Sequence, residues 1–329
     1  MNHRLAAPDI LKVAAIIAVI FIHGSYIIPH SNLSASSSDL QLTNIYRFCV
    51  PVFILLFSFF QEKSLIKKGN ESLMPRLFSL LIPFLFWSAI YFVITADFKN
   101  NIVNLITTHW LGYGWSGQYY FIILFQLILL FPFIHWLITK YQFSPIIFFL
   151  ISLILYIYIS YSGWFNINII SKISHRAFVY WIPYVIAGMS YLYKYKIHFL
   201  IGIASLLLIP LEIYYLHPQT NSLYLLPSTF ISSFILTSSV MQINISYDQI
   251  NKFISSNIHL IANSTLGIFC LNPLVILGLD RMIQESGLHL KFAGDMYLAP
   301  ILSVTLILLI CLSITYIIKK IRLGKLIGN

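Results

Sequence analysis

Residues 8–29, PDILKVAAIIAVIFIHGSYIIP, form an apolar stretch long enough to cross a lipid bilayer as a helix. Three ionisable residues interrupt this stretch, namely Asp9, Lys12 and His23. An ionisable side chain at membrane depth costs about 3 kcal/mol or more, so such groups normally face protein or a water-filled cavity. The stretch therefore predicts a transmembrane helix whose polar side is turned toward the rest of the protein.

The composition of the whole chain agrees with an integral membrane protein. Of its 329 residues, 59% are hydrophobic and only 9% are charged, whereas soluble domains usually carry about 25% charged residues. The formal charge of +10 is explained by basic residues that are retained on the cytoplasmic side of a membrane, so a nucleic-acid partner is not indicated. The three cysteines lie in apolar stretches without paired spacing, which indicates neither disulfides nor a zinc site.

Further apolar stretches of spanning length follow the first one, and together they predict about ten transmembrane helices. We therefore expect an all-α, polytopic membrane helix bundle that forms one domain over residues 1–329, with no separate soluble domain. The connection at 97–118 is long enough to hold one amphipathic helix at the membrane surface. The predicted spans are 8–29, 45–61, 77–96, 118–138, 145–161, 177–193, 198–216, 223–243, 259–279 and 296–318.

Basic residues outside the spans predict the orientation of the bundle, because lysine and arginine are retained on the cytoplasmic side. With the N-terminus inside, about thirteen of them fall inside and about five fall outside, so both termini are predicted to be cytoplasmic. The inside set is Arg4, Lys63, Lys67, Lys68, Arg76, Lys140, Lys194, Lys196, Lys252, Lys319, Lys320, Arg322 and Lys325, and the outside set is Lys99, Lys172, Arg176, Arg281 and Lys291.

The spacing of the polar residues places them on one side of the first helix. Lys12 and His23 are separated by eleven positions, so they share a face to within about 20° and lie about 16 Å apart along the axis. Asp9 falls on the same side and is close enough to pair with Lys12, and Tyr26 and His30 extend this face outward. One alternative leaves Asp9 and Lys12 at the lipid headgroups. His23 lies too deep for that, and either a structural hydrogen bond or catalytic proton transfer would explain it.

The second predicted span contains an arginine near its outer end. Arg47 cannot lose its charge and therefore needs an anion, a carbonyl group or water as a partner. Because the first two helices are expected to be antiparallel, Arg47 and His23 fall at similar depths. Pro51 removes a backbone hydrogen bond nearby, and neighbouring groups must satisfy the carbonyl group that this leaves free.

These motifs resemble the acyltransferase-3 family of bacterial membrane O-acyltransferases over nearly the whole chain. The pattern D-x-L-K-x10-H at 9–23 and the stretch RFCVPVFILLFSFF at 47–60 are similar to the first two helices of that family. Four later stretches agree in order: KKGNESLMPRLFSLLIPFLFW at 67–87, QYYFIILFQLILLFPFI at 118–134, YWIPYVIAGMSYL at 180–192 and STLGIFCLNPLVI at 264–276. The sequence departs from the family pattern at four positions, with Lys12 in place of Arg, Phe59 in place of Gly, Tyr120 in place of Trp and Asn272 in place of His.

The resemblance implies transfer of an acyl group, usually acetyl from acetyl-CoA as co-substrate, to a hydroxyl of a cell-envelope glycan or lipid-linked saccharide. It places the protein in the inner (plasma) membrane of a bacterium, with acyl-CoA, the glycan acceptor and the bilayer as partners and with no bound cofactor or metal. The catalytic candidates are His23, Lys12, Asp9 and Arg47, and the candidates for binding substrate or donor are Lys67, Lys68, Arg76, Ser58, Tyr120 and Asn272.

Each group of candidates has a physical role in such a reaction. Acyl-CoA is cytoplasmic and polyanionic, so the basic candidates on the inner side would attract its phosphates. His23 would serve as general base toward the acceptor hydroxyl or carry the acyl group itself. Arg47 would stabilise an oxyanion or orient sugar hydroxyls.

Other functions fit parts of the same pattern. A polar stripe inside a helix bundle also serves transport, so a glycan or lipid-linked sugar exporter without acyl chemistry is the main alternative. A glycan polymerase has a similar composition but usually carries a long outer loop with several arginines. No loop of this kind is evident in the sequence. The lysines in the inner loops also agree with ordinary membrane topology.

Overall fold

The computed structural model of the protein describes residues 6–27, 42–95, 102–141, 144–161, 176–218, 220, 222–243, 245–286 and 298–328. The regular elements of these residues are helices. The α-helices are α1 (Ala7–Gly24), α2 (Cys49–Lys68), α3 (Leu73–Thr95), α4 (Ile102–Trp110), α5 (Gln118–Tyr141), α6 (Pro145–Tyr161), α7 (Ile182–Ser190), α8 (Phe199–Ser205), α9 (Leu208–Leu216), α10 (Pro227–Met241), α11 (Lys252–Ala262), α12 (Thr265–Ser286) and α13 (Leu298–Lys320).

The helices confirm a polytopic helical membrane protein. Within the described ranges, 6 helical segments are long and apolar enough to cross a membrane, and one of them, Leu42–Ile94, contains both α2 and α3. Helix is present in each of the predicted stretches, although some of these helices are too short to qualify by length. The count of ten crossings and the placement of the termini therefore stay predictions. The helix expected between the third and fourth spans is present as α4.

Two predicted spans are less regular than their hydropathy suggests. The stretch at 198–216 is divided into α8 and α9 by a turn at residues 206–207, with Pro210 in the first turn of α9. The stretch at 177–193 begins with a 3-10 turn, Phe178–Trp181, and continues as the short helix α7. Apolar composition does not reveal such breaks, because the turn residues Leu206 and Leu207 are as apolar as the helices beside them.

Helix α1 lies in the interior of the bundle, where it packs against α2, α10, α11, α12 and α13. It runs antiparallel to α2, because Phe21 stacks on Tyr46 with a centroid separation of 4.4 Å while the Lys12 ammonium lies 5.8 Å from the centroid of the Phe60 ring. We call the end of the bundle at which α1 begins the basic end and the end at which it finishes the histidine end. Lys12 lies near the first and His23 near the second.

Small residues allow the helices around α1 to approach closely. At the contact between α2 and α7, a Cβ atom on Gly188 would lie 2.6 Å from the carbonyl oxygen of Leu55 and 2.9 Å from the Cβ of Ser58. Helices α8 and α10 meet through Ser205 and Ser232, and the Ser232 hydroxyl donates a 2.5 Å hydrogen bond to the Ser205 carbonyl oxygen. Glycine and serine at helix contacts are characteristic of membrane bundles, where close packing replaces the hydrophobic driving force.

The contact at Gly188 gives a stability prediction with a matched control. Gly188→Ala should destabilise the protein by about 1–3 kcal/mol, because the new methyl group would overlap the backbone of α2. Gly278→Ala is the control, since Gly278 also lies inside a helix and a Cβ there meets nothing within 4 Å. Thermal unfolding of purified protein in detergent measures both, and equal midpoints for the two variants would contradict the close contact.

Candidate active site

A cavity of about 620 Å³ penetrates the bundle from the basic end. Its wall contains the charged residues Asp9, Lys12, Lys63 and Arg76. Deeper in the bundle the wall is apolar and aromatic, and it is formed by Phe53, Leu56, Phe57, Tyr120, Leu124 and Phe269 among others. The cavity therefore offers positive charge beside a long hydrophobic interior.

The acidic and basic residues at the start of α1 form the predicted pair. The Lys12 ammonium lies 3.1 Å from Oδ1 of Asp9, and the Tyr247 hydroxyl donates a 2.7 Å hydrogen bond to Oδ2 of the same carboxylate. Asp9 is only 2% exposed, whereas the Lys12 side chain is 29% exposed, so the carboxylate of the pair is buried in protein. Tyr247 was not predicted, because it is 238 positions away in the sequence.

Arg76 extends from the first turn of α3 into the cavity. Its guanidinium carbon lies 5.5 Å from the centroid of the Phe57 ring, and its charge interacts with the Tyr120 hydroxyl. The residue is nevertheless exposed, which is expected for a side chain that lines an open cavity. Tyr120 packs against Phe269 with a centroid separation of 5.4 Å, so Arg76 reaches the aromatic part of the wall.

A segment near the end of the chain also lines the cavity. Ile327 and Gly328 form part of the wall, and Ile327 is only 1% exposed. The Trp87 indole donates a 2.9 Å hydrogen bond to the carbonyl oxygen of Leu326. This segment had been interpreted only as part of a basic cytoplasmic tail, and no local sequence signal indicated that it folds back onto α3 and α12.

A glycine-rich turn brings a hydroxyl to His23 at the opposite end of the bundle. The Ser116 hydroxyl lies 3.3 Å from Nδ1 of His23. The next residue, Gly117, has a φ of +92°, and a side chain there would strike Phe269. The turn therefore requires glycine for both its backbone conformation and its space. Trp115 anchors the turn by stacking on Tyr91 at 4.9 Å.

Arg47 lies next to His23, as the antiparallel arrangement predicted. The two side chains are close enough for their charges to interact. Arg47 also hydrogen-bonds Tyr224, and its guanidinium carbon lies 5.7 Å from the centroid of that ring. The Arg47 Nε is buried and has no hydrogen-bond partner within the described part of the chain.

Two residues that follow α1, Tyr26 and His30, are expected to continue its polar face at the histidine end. Tyr26, predicted to extend the polar face of α1, is exposed by 54%. Partial burial, followed by the negative charge of Asp280, raises its pKa above the ordinary tyrosine value. His30, which was expected to continue the same face, lies outside the described residues.

The remaining candidates lie apart from the cavity wall as the structure describes it. Lys67 and Lys68 are exposed at the end of α2. The Ser58 hydroxyl is fully buried and donates to the Ile54 carbonyl oxygen at 2.7 Å. Asn272 is 1% exposed and donates to backbone carbonyls of α12, while its buried Oδ1 has no partner among the described groups. A direct contact of these residues with substrate stays a prediction.

Metal ligation and disulfide formation find no support in the described ranges. No group of three or more histidine, cysteine or acidic residues could hold a metal ion there. Cys49, Cys270 and Cys311 are buried free thiols, as their apolar sequence context predicted.

The fold and the site define a polytopic helical membrane protein with a basic internal cavity at one end and a histidine–arginine pair toward the other. A family model described as an acyltransferase domain, that of the acyltransferase-3 family, matches residues 5–320. The chain belongs to this family, and membership supports a membrane acyltransferase. The comparison with curated proteins found no match, and neither did the comparison with solved structures.

Proposed function

We propose that the protein is an O-acyltransferase that moves an acyl group, with acetyl as the expected one, from cytoplasmic acyl-CoA to a hydroxyl of a cell-envelope glycan or lipid-linked saccharide. The observation that carries this proposal is the cavity beside α1. It combines cationic side chains with an apolar interior, and its deep wall contains Tyr120, four positions after the serine that contacts His23.

The two parts of the cavity match the two parts of an acyl-CoA molecule. Lys63 and Arg76 supply positive charge for its phosphates, which accept charge-assisted hydrogen bonds. Lys12 adds a third cation, although its charge is shared with Asp9. The apolar interior suits the less polar arm that carries the thioester. Lys12 and His23 are about 16 Å apart along α1, so an extended donor would be needed to bring the acyl group near His23.

His23 is proposed as the proton-transfer residue of the reaction. It takes the proton from the acceptor hydroxyl, whose oxygen attacks the thioester carbonyl carbon. The new C–O bond forms, the C–S bond breaks, and His23 returns the proton to the departing thiolate, which leaves an ester and free CoA thiol. The neighbouring Arg47 guanidinium orients the acceptor saccharide beside the imidazole. The Ser116 hydroxyl orients the imidazole ring.

The orientation that this mechanism requires is testable with topology reporters. With ten crossings and both termini inside, reporters at residues 67, 140, 252 and 325 should be cytoplasmic, and reporters at 36, 100 and 288 should be external. The three external positions lie outside the described residues. A cytoplasmic signal at all three, or an external one at 325, would contradict the side proposed for the donor.

Donor binding distinguishes residues in the cavity from residues outside it. Arg76→Gln should weaken binding of acetyl-CoA to the purified protein by about tenfold or more, since a charge-assisted hydrogen bond contributes about 1.5–3 kcal/mol. The double variant Lys67→Gln/Lys68→Gln removes more charge from the same end and is the matched control. Isothermal titration calorimetry in detergent measures both affinities.

A smaller loss for the double variant is expected, because those lysines do not line the cavity. If the double variant lost as much affinity as Arg76→Gln, the donor phosphates would have to bind outside the cavity. If wild-type protein failed to bind the donor and glycan export ceased without the protein, the exporter would replace the transferase.

Catalysis is tested at His23 with a variant that keeps the hydrogen bond to Ser116. His23→Gln can still donate or accept that bond but cannot carry a proton, so transfer should fall by about 10²–10⁴-fold. His23→Ala should be at least as impaired. Transfer of labelled acetyl groups to isolated envelope glycan, measured at equal donor occupancy, gives the rates. Near-normal transfer by folded His23→Gln would leave His23 a structural hydrogen bonder.

A further inference from the structure

Two arginines lie beside tyrosine rings at the histidine end of the bundle. Tyr119, in the first turn of α5, interacts electrostatically with both Arg47 and Arg176. The guanidinium carbon of Arg176 lies 3.2 Å from the centroid of the Tyr113 ring, in the same turn that presents Ser116 to His23. Arg47 in turn hydrogen-bonds Tyr224. Each of the two guanidinium groups therefore lies beside an aromatic ring near the proposed catalytic histidine.

A residue of α5 holds the backbone at Arg176 in place. The side-chain amide of Gln126, in α5, donates a 3.1 Å hydrogen bond to the Arg176 carbonyl oxygen. The same amide accepts a 2.9 Å hydrogen bond from the backbone nitrogen of Phe178. These two bonds fix the backbone on both sides of Ala177. Gln126 of α5 therefore holds the backbone of Arg176 against the bundle.

Two carboxylates described near this end accept hydrogen bonds from groups other than the arginines. Glu212 accepts hydrogen bonds from the Tyr161 hydroxyl at 2.6 Å and from the backbone nitrogen of Ser228 at 2.8 Å. Asp280 accepts a 3.0 Å hydrogen bond from Gln284. Arg47 forms no ion pair with a described residue, and its buried Nε has no described hydrogen-bond partner. A permanent cation inside a membrane bundle is costly unless an anion or a polar cavity compensates it.

We infer that the histidine end binds an acceptor saccharide that carries a negative charge, a phosphate or a carboxylate, close to the hydroxyl that is acylated. Arg47 and Arg176 bind the anion, because the guanidinium fork matches planar oxyanions and stays charged at any relevant pH. Tyr113, Tyr119 and Tyr224 supply rings and hydroxyls for the sugar. The role of this ligand as an acceptor rests on the proposed function, whereas the anion site itself does not.

The headgroup of an anionic phospholipid also carries a negative charge, so the experiment distinguishes a bound lipid from a bound saccharide. The probes are an alkyl glucuronide and the matching alkyl glucoside, which share the chain and ring hydroxyls but differ in one carboxylate. Their affinities for the protein are measured by isothermal titration calorimetry in phosphatidylcholine nanodiscs without any acyl donor. The measurement is repeated in nanodiscs that contain phosphatidylglycerol.

Wild-type protein should bind the glucuronide about tenfold or more tightly than the glucoside, as expected for one charge-assisted contact. Arg176→Gln should reduce this ratio toward one, and Arg176→Lys should restore only part of it, because lysine keeps the charge but not the fork. Arg281→Gln is the control, since Arg281 is exposed on α12 and its substitution removes the same charge. Its ratio should equal that of the wild type.

Equal affinity of wild-type protein for both probes would overturn the inference, as would a ratio that Arg176→Gln leaves unchanged. A preference that disappears when phosphatidylglycerol is present would assign the anion to a lipid headgroup and would overturn the acceptor role. A retained preference would support the saccharide. Because no donor is present, a failure of acyl transfer in other assays would refute the proposed function without changing this result.

Discussion

The architecture depends on keeping the ionisable side chains of a transmembrane helix away from lipid. Asp9 and Lys12 occupy the first turns of α1 and His23 its last turn, so both ends of one face need polar surroundings. The protein meets this requirement by surrounding α1 with other helices. At the basic end, Asp9 and Lys12 pair with each other, and the Tyr247 hydroxyl donates a hydrogen bond to Asp9. The cavity that this arrangement leaves beside α1 is the site to which we assign the donor.

Two different packing solutions surround this central helix. At contacts away from the cavity wall, glycine and serine bring the backbones close together, as at Gly188 and between Ser205 and Ser232. Around the cavity the wall is built from large aromatic rings, including Phe57, Tyr120 and Phe269. Large rings hold helices apart and leave space between them. The distribution of small and aromatic residues therefore determines where the bundle is closed and where it is open.

Much of the fold could be predicted from the sequence because the relevant patterns are local. The 3.6-residue repeat placed Asp9, Lys12 and His23 on one side of a helix, and the structure contains that helix and the Asp9–Lys12 pair. Hydropathy located helices in all the predicted stretches but missed the turn between α8 and α9, because its residues Leu206 and Leu207 are apolar.

The parts of the candidate site that could not be predicted come from distant segments. Trp87 holds Leu326 across 239 positions, and Tyr247 reaches Asp9 across 238. A single sequence contains no record of such pairings. The turn at Gly117 was noticed only as part of a long loop, since the need for a left-handed glycine becomes visible only when Phe269 is placed beside it.

The separation of the two polar ends has a consequence for a reaction that uses a thioester. Tyr120 and Phe269 pack together in the deep wall of the cavity. Gly117, at the histidine end, lies so close to Phe269 that a Cβ atom there would be 2.8 Å from the ring. Phe269 therefore contacts both the cavity and the turn that presents Ser116 to His23. In the proposed reaction these rings lie between the donor cavity and the imidazole, where exclusion of water would limit hydrolysis of a reactive acyl group. In that reaction the acyl group has to pass Tyr120 and Phe269 to reach His23, which would place these two rings to discriminate among acyl groups by size.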